Sequence, residues 1–354
     1  MQSLLSIENL NVRFTTQEGV ALAVRDLSFG VGTGEALGLV GESGCGKSVT
    51  ALALMRLIPD PPGQILGGKV FFDDRDIMSL PDKAVRDLRG NEIAMIFQEP
   101  MTSLNPIHTC GDQIMEPLIL HKGLGKKEAR ARALELLTIT GIPSPSRRLG
   151  EYPHQLSGGM RQRVMIAMAL ACKPKLLIAD EPTTALDVTI QAQILELMKE
   201  LRRETGSAII LITHDLGIIS EMCDRVAVMY AGQVVETCLV DELFKGPLHP
   251  YSEALLFSIP AIGSRRDRLY AIKGTVPSPF DMPPGCAFAP RCDYAREECL
   301  AVSPALSPPR GEDPAGRGRL VRCHFPRIAE TGAGDAAAGA AAGSPSGGKE
   351  FCYG

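Results

Sequence analysis

The sequence predicts an α/β fold built on a parallel sheet and a phosphate-binding loop. Residues 41–48 read G-x-x-x-x-G-K-[ST], the P-loop pattern. An apolar run at 36–40 predicts a buried strand before this loop, and a helical pattern at 48–57 follows it. Further apolar runs at 176–180 and 208–213 predict more buried strands. Because a strand, a glycine-rich turn and a helix follow in this order, the context supports a functional phosphate loop.

The P-loop predicts how the phosphates are bound. Its glycines allow backbone N–H groups to close around phosphate oxygens, and the N-terminus of the following helix adds a positive dipole end. Lys47 supplies a charge for the β- and γ-phosphates, and the Ser48 hydroxyl is a ligand for Mg²⁺. The residues predicted to contact the nucleotide here are Gly41, Glu42, Ser43, Gly44, Cys45, Gly46, Lys47, Ser48 and Val49.

The apolar run that begins at 176 ends in two consecutive carboxylates, Asp180 and Glu181. A strand that carries Asp180 beside the P-loop can hold Mg²⁺ directly or through water. Glu181 then lies where it can polarise a water in line with the γ-phosphate. The alternative is that the two acidic residues only end a strand.

Two further polar residues follow apolar runs. Gln98 comes after the run at 93–97, and its side chain can reach Mg²⁺ or the attacking water. His214 comes after the run at 208–213, where a neutral imidazole can donate to the γ-phosphate and hold the water and Glu181 in line. A solvated or structural side chain at a strand end is the alternative for both.

A second candidate anion site reads LSGGM at 156–160, just before a helical pattern at 162–172. A serine and two glycine amides at the start of a helix form such a site. Helical periodicity at 111–121 and 126–138 predicts an insertion between this segment and the P-loop. If the insertion separates the two, one chain cannot fold this site onto its own P-loop, whereas a second subunit could bring its copy to the γ-phosphate. The alternative is that LSGGM is only a glycine-rich turn.

Together these motifs resemble the ATPase subunits of ABC transporters. The resemblance is carried by the P-loop, LSGGM at 156–160, the strand ending in Asp180 and Glu181, ALD at 185–187 and THD at 213–215. The similarity to the peptide-importer branch, the ATPases of dipeptide and oligopeptide permeases, is carried by FQEPMTSLNP at 97–106, YPHQLSGGMRQRVMIAMAL at 152–170 and ADEPTTALDVTIQAQI at 179–194.

The resemblance implies a domain organisation. It implies a P-loop NTPase cassette at 4–246 with an antiparallel β arm and a helical subdomain at about 99–165. A cysteine-bearing extension at 247–328 follows, as in the peptide-permease ATPases. The Ala/Gly/Ser-rich segment 329–354 is typical of a disordered tail.

The resemblance also implies site roles. Phe14 lies where the family places an aromatic ring against adenine, although a lone Phe is more often a core residue. Met160 replaces the glutamine most common at this point of the family motif, and it leaves the serine and both glycines intact. The residues assigned to the partner's nucleotide are Ser157, Gly158 and Gly159, with Asp187 in the loop that follows the carboxylate strand. The catalytic residues are Glu181, His214 and Gln98, and the Mg²⁺ ligands are Ser48, Gln98 and Asp180.

Composition limits the function classes. The chain has 354 residues, a net charge of −4 and no Trp, which argues against nucleic-acid binding driven by bulk charge or base stacking. No stretch of 18 apolar residues occurs, so any membrane span must come from another subunit.

The resemblance therefore implies an ATPase that hydrolyses ATP with Mg²⁺ to power import of dipeptides or oligopeptides. Its expected partners are a second ATPase subunit in a heterodimer, two integral membrane permease subunits and, indirectly, an extracytoplasmic peptide-binding protein. The expected location is the cytoplasmic face of a bacterial inner membrane. The alternatives are an importer of nickel or another small solute and a soluble ABC ATPase without a transport role.

Four of the ten cysteines fall in the extension, at Cys286, Cys292, Cys299 and Cys323. Disulfides are disfavoured for an ATP-using chain without a signal sequence. Structural zinc usually shows C-x2–4-C pairs, which are missing here, whereas iron–sulfur clusters tolerate varied spacing. The resemblance implies a [4Fe–4S] cluster, and zinc or free buried cysteines remain the alternatives.

Overall fold

The computed structural model describes residues 3–99, 103–184, 186–258, 271–309 and 318–327. The described strands form two sheets. In chain order they are β1 (Ser3–Thr16), β2 (Gly19–Gly32), β3 (Ala36–Val40), β4 (Gly63–Phe72), β5 (Arg75–Asp76), β6 (Ile93–Ile96), β7 (Leu176–Asp180), β8 (Ala208–Ile212), β9 (Arg225–Tyr230), β10 (Gln233–Leu239) and β11 (Leu320–Val321). The α-helices are α1 (Lys47–Leu54), α2 (Asp82–Leu88), α3 (Cys110–Lys122), α4 (Lys126–Ile139), α5 (Pro145–Arg148), α6 (Gly158–Leu170), α7 (Val188–Thr205), α8 (Leu216–Met222), α9 (Val240–Lys245), α10 (Pro250–Ser258) and α11 (Glu297–Ala301).

The larger sheet has the order β11-β10-β9-β3-β8-β7-β6. Strands β9, β3, β8, β7 and β6 run parallel, while β10 and β11 are antiparallel additions. Every residue of β3, β7 and β8 is buried, as expected for apolar strands covered on both faces. Because the carboxyl ends of parallel strands meet at one side of the sheet, the loops after β3, β6, β7 and β8 come together there.

The smaller sheet is the antiparallel arm, with the order β2-β1-β4-β5. Its inner face and one face of the parallel sheet share a core that includes Leu5, Leu27, Phe72 and Leu39. The opposite face of the parallel sheet packs in a second core with the helices. The predicted α/β cassette with an antiparallel arm and a helical insertion is therefore confirmed.

The helical part contains α3, α4, α5 and α6, and some of these helices have capped ends. The Thr109 hydroxyl accepts from the amide of Asp112 at 3.1 Å, and Gly123 ends α3 in the left-handed conformation. Helix α6 begins at Gly158, before the expected residue 162, because Ser157 caps its first turn. Helix α1 ends at Leu54, before the expected residue 57, and Arg56 has a positive φ of 49°.

The part of the chain after residue 246 packs directly onto the cassette. Tyr251 and Phe288 lie in the same core as the parallel sheet, and β11 pairs with β10. The domain limits 4–246 and 247–328 stay a prediction, and residues 329–354 lie outside the described residues. Within the described ranges, no helix combines the length and the apolar character needed to cross a lipid bilayer.

Candidate nucleotide site

The P-loop connects β3 to α1 and closes around a lysine ammonium. Lys47 Nζ donates to the carbonyl oxygens of Gly41 at 2.8 Å and Glu42 at 3.0 Å. Gly46 precedes α1 with a φ of 101°, a conformation that glycine adopts without strain. A Cβ at Gly41 would lie 2.1 Å from the carbonyl oxygen of Met229, so no side chain fits there. These two glycines allow the tight turn of the P-loop that a cradle of backbone N–H groups for phosphate requires.

Asp180, the last residue of β7, lies beside the first turn of α1. Its side chain accepts a hydrogen bond from Ser48, and the residue is only 3% exposed. Its other carboxylate oxygen, Oδ1, is buried and has no hydrogen-bond partner. Burial raises the pKa of Asp180 above its ordinary value. A buried, unpartnered carboxylate oxygen next to a hydroxyl is a donor set that suits a hard cation such as Mg²⁺.

Glu181, the next residue, is surrounded by three polar side chains from different loops. Gln98 Nε2 donates to Oε2 at 3.0 Å and the Thr184 hydroxyl donates to Oε2 at 2.8 Å. His214 Nδ1 lies 3.4 Å from Oε1. The structure therefore brings Gln98, Glu181 and His214 together and adds Thr184, which the sequence analysis missed.

The pKa of Glu181 reflects opposing causes. Partial burial alone would raise this pKa, but the hydrogen bonds from Thr184 and His214 bring it below its ordinary value. The Glu181 side chain is 15% exposed, so a carboxylate that stays ionised faces a small opening to solvent. A general base for water needs this combination of charge and access.

Phe14 lies on the arm, near the P-loop but not within it. It pairs with Ala21 of β2 and Gly63 of β4 and is half-buried. Strand β2 passes the loop closely, since a Cβ at Gly46 would lie 2.5 Å from the carbonyl oxygen of Ala23. The stacking of Phe14 on adenine stays a prediction.

The LSGGM segment lies at the exposed start of α6. Ser157 and Gly158 are exposed, and the Ser157 hydroxyl accepts from the Met160 amide at 3.4 Å. Asp187, which caps α7, is also exposed, and the adjacent Val188 has 83% of its surface exposed. Ala185, in the same loop, lies outside the described residues. The residues assigned to a partner's nucleotide thus lie on an accessible surface of this chain.

The extension contributes a contact that the sequence analysis missed. Arg291 forms two hydrogen bonds with the Glu42 carboxylate, at 2.7 and 3.0 Å. The Tyr251 hydroxyl accepts from the Glu42 amide at 2.8 Å. No local sequence pattern pairs residues 249 positions apart. The one sequence signal is the acidic residue Glu42 within a phosphate-binding loop, because its negative charge favours a cation from elsewhere in the chain.

The four cysteines of the extension line one small cavity of about 20 Å³, close to the volume of one water. Burial raises the pKa of Cys323 to about 11, with the neighbouring cysteines adding to the effect. The cavity is otherwise lined mainly by aromatic and histidine side chains. Within the described ranges, however, no group of three or more His, Cys, Asp or Glu side chains is arranged to hold a metal ion.

The comparisons with known proteins agree with this architecture. Residues 24–184 match the family described as ABC transporter, and residues 235–299 match the family described as oligopeptide/dipeptide transporter, C-terminal region. The chain is 54% identical to the oligopeptide transport ATP-binding protein AppD of Bacillus subtilis, over 91% of this chain and 97% of AppD. It is 51% identical to the dipeptide transport ATP-binding protein DppD of Escherichia coli, over 92% of this chain and 97% of DppD.

A solved structure, the ATP-binding cassette MJ0796 as a dimer in a post-hydrolysis state with ADP and Pi, also matches. It has a TM-score of 0.61 and 29% identity, and the match covers 67% of this chain and 98% of MJ0796. The chain therefore belongs to the family of ATP-binding subunits of ABC transporters, with the C-terminal region of the oligopeptide/dipeptide branch.

Proposed function

We propose that this chain hydrolyses ATP to power the import of dipeptides or oligopeptides across the cytoplasmic membrane. The observation that carries the hydrolysis is the meeting of the P-loop, the Asp180–Ser48 pair and Glu181 at one side of the sheet. The peptide cargo is supported by the names of AppD and DppD and by the matching C-terminal region.

In this proposal the P-loop holds the phosphates of ATP, and Lys47 contacts the β- and γ-phosphates through its ammonium. Ser48, Asp180 and Gln98 hold Mg²⁺, which neutralises phosphate charge when bound. The unpartnered Oδ1 atom of Asp180 supports this assignment. Phe14 stacks on the adenine ring.

Glu181 acts as the general base that takes a proton from the attacking water. Its lowered pKa keeps it ionised, and Gln98 orients the carboxylate from the side. His214 has a side chain that is 68% exposed, so its ring is free to turn toward a γ-phosphate while remaining near Glu181. Proton transfer of this kind contributes about 10² to 10⁴ in rate.

Hydrolysis requires a second cassette that faces this one head to tail. The exposed start of α6, with Ser157, Gly158 and Gly159, would contact the nucleotide on the partner, and the partner's copy would close this site. Asp187 and the exposed Val188 would lie at the same interface. We propose a heterodimer of two related cassettes, as the family resemblance implies.

One of the two membrane subunits would dock on a groove between the parallel sheet and the helical part of this chain, and the other would dock on the second cassette. This groove has a volume of about 330 Å³ and a largely apolar lining that includes Phe97, Pro117, Leu120 and Met168. Leu120 is 72% exposed and lies at this groove, so a docked partner could cover it. A short cytoplasmic helix of a membrane subunit fits such a groove. The chain would then lie at the cytoplasmic face of the inner membrane, with the extracytoplasmic peptide-binding protein on the other side.

The four extension cysteines would hold a [4Fe–4S] cluster. Convergence of four thiols on one cavity supports this proposal, since four thiolates are the usual ligand set. The thiols would have to lose protons and move apart to admit a cluster, because the cavity has the volume of about one water. The role would be structural or regulatory rather than catalytic.

Anaerobic purification of the full chain tests the cluster. We expect about four iron and four sulfide per chain, together with the visible absorbance of a thiolate-ligated cluster. Cys299→Ser should remove most of this iron, whereas Cys110→Ser, at a buried cysteine outside the cavity, should not. Stoichiometric zinc, or chains without metal that remain folded, would contradict the cluster.

Transport itself is tested by peptide uptake in a strain from which the gene is deleted. The wild-type chain should restore uptake of labelled dipeptides or oligopeptides, and Glu181→Gln should not, while the purified variant still binds MgATP. Gln retains the shape of the side chain, and its carbonyl oxygen can still accept from Gln98 and Thr184, but it cannot act as a base. Normal uptake with Glu181→Gln would contradict the general-base role.

The same strain distinguishes the alternatives. Restored uptake of nickel or another small solute, without peptide uptake, would identify a different importer. Failure of the purified chain to associate with any membrane subunit would favour an ABC ATPase without a transport role.

A further inference from the structure

The turn that carries Cys292 reaches back to the second residue of the P-loop. Arg291 Nη1 and Nη2 donate to Glu42 Oε2 and Oε1 at 2.7 and 3.0 Å. The Arg291 side chain is 4% exposed and the Glu42 side chain is 29% exposed. A bidentate salt bridge between a guanidinium and a carboxylate has a defined geometry. Burial of Arg291 reduces the screening of this salt bridge by solvent.

Glu42 is also held through its backbone. Its amide donates to the Tyr251 hydroxyl at 2.8 Å, and its carbonyl oxygen accepts from Lys47 Nζ at 3.0 Å. Tyr251 is fully buried and belongs to α10 of the extension. One residue therefore connects the phosphate-binding lysine to the extension.

Arg291 is in turn fixed by its surroundings. Its Nε donates to the carbonyl oxygen of Lys273 at 2.8 Å, and Nη1 donates to the Tyr230 hydroxyl at 3.3 Å. The guanidinium lies 5.7 Å from the ring centre of Tyr230 and 6.0 Å from that of Phe288. The extension, together with Tyr230 of β9, thus sets where the guanidinium lies, and the guanidinium sets where the Glu42 carboxylate lies.

A carboxylate within a loop that binds a polyanion is electrostatically unfavourable, because like charges repel strongly where water is scarce. The phosphate-loop pattern does not require an acidic residue at this position. The paired guanidinium removes that repulsion and holds the carboxylate to one side.

We propose that Arg291 is a positioning residue of the nucleotide site, which neutralises Glu42 and fixes the P-loop so that the extension sets the affinity for the phosphates of ATP. This inference rests on the proposed function, because it assumes that MgATP binds in this loop. It gives the extension a role at the nucleotide site that does not depend on what its cysteines hold.

Equilibrium binding of MgATP to the full chain tests the proposal. Arg291→Ala should raise the Kd about tenfold, because it leaves an unpaired carboxylate beside the phosphates. Arg291→Lys should raise the Kd by an intermediate factor, since lysine keeps the positive charge but cannot form the bidentate salt bridge. In the Glu42→Gln background, Arg291→Ala should change the Kd less than about twofold, because no carboxylate remains to repel the phosphates.

Arg319→Ala is the matched control. Arg319 also lies in the extension and pairs at 2.8 Å with Glu236, which is fully buried on β10 and outside the loop. This variant should lower the melting temperature without raising the Kd. If Arg291→Ala does not fold, Arg291→Lys with and without Glu42→Gln provides the same comparison.

The results separate the inference from the function on which it rests. An equal rise in Kd in both Glu42 backgrounds, or an unchanged Kd in a folded Arg291→Ala chain, would overturn the role of Arg291 alone. A wild-type chain that does not bind MgATP would overturn the proposed function together with this inference.

Discussion

At the scale of single residues, the candidate base owes its properties to its neighbours. Glu181 and Asp180 are adjacent, yet their pKa values move in opposite directions. Burial dominates at Asp180 and raises its pKa, whereas donors from Thr184 and His214 lower that of Glu181. Two carboxylates with different environments can serve different roles, one as a metal ligand and the other as a base.

We predict that Thr184→Ala moves the acid limb of the pH–rate profile to higher pH. The Thr184 hydroxyl stabilises the ionised form of Glu181, so its removal raises the pKa of that carboxyl group and protonates the base at less acidic pH. The measurement is the hydrolysis rate at saturating MgATP against pH. Thr138→Ala, which removes a hydroxyl bonded only within α4, is the control. A profile unchanged in Thr184→Ala would argue against Glu181 as the titrating base.

At the residue scale, the sequence is most informative where the chemistry is local in the chain. The P-loop at 41–48 is defined by spacing alone, and the ends of apolar runs placed Gln98, Asp180 and His214 at one side of the sheet. Thr184 was missed because a threonine three residues after the base has no distinctive pattern. Arg291 was missed because its contact depends on how the extension folds back.

At the scale of elements, the helical part presents an apolar surface that its own core does not use. Helix α3 buries Ile114 and Leu118 on one side and exposes Leu120 on another. The sequence predicted both α3 and α4 from periodicity. The groove itself could not be predicted, because it is formed by segments distant in sequence.

We predict that Leu120→Glu reduces recovery of the membrane subunits with the purified chain by about tenfold or more. A charge placed in the apolar groove would have to be buried without a partner when a helix docks there. Binding of MgATP should be retained. Ile139→Glu on α4, at a residue 42% exposed, is the matched control and should leave recovery unchanged. Equal recovery with Leu120→Glu would place the membrane subunits elsewhere.

At the scale of the whole molecule, the two anion sites predicted from the sequence have different surroundings. The P-loop is closed by its own lysine and by the extension, while the start of α6 is exposed. That a second subunit brings its LSGGM segment to this P-loop stays a prediction, which rests on the helical insertion between the two motifs. The packing of the extension against both the sheet and the P-loop was not anticipated, because proline-rich, irregular sequence carries little periodic signal.

We predict that a tagged Glu181→Gln chain retains a second cassette in the presence of MgATP and releases it when EDTA removes the metal. Bound nucleotide would be shared between the two cassettes, so blocking its hydrolysis should prolong their association. Light scattering measures the mass, and mass spectrometry identifies the second chain. Ser157→Arg in the same background should weaken the association by obstructing the exposed start of α6. A monomer that hydrolyses ATP at the full rate would refute the shared site.

The short strand β11 has a consequence for how the molecule behaves among its copies. It pairs with Glu236 and Thr237 of β10, and the Arg322 amide continues the pairing by donating to Val235 at 2.8 Å. Without it, the outer backbone of β10 would offer unpaired amides and carbonyls to any extended peptide. Pairing with β11 closes that flank and thereby disfavours adventitious strand addition and aggregation.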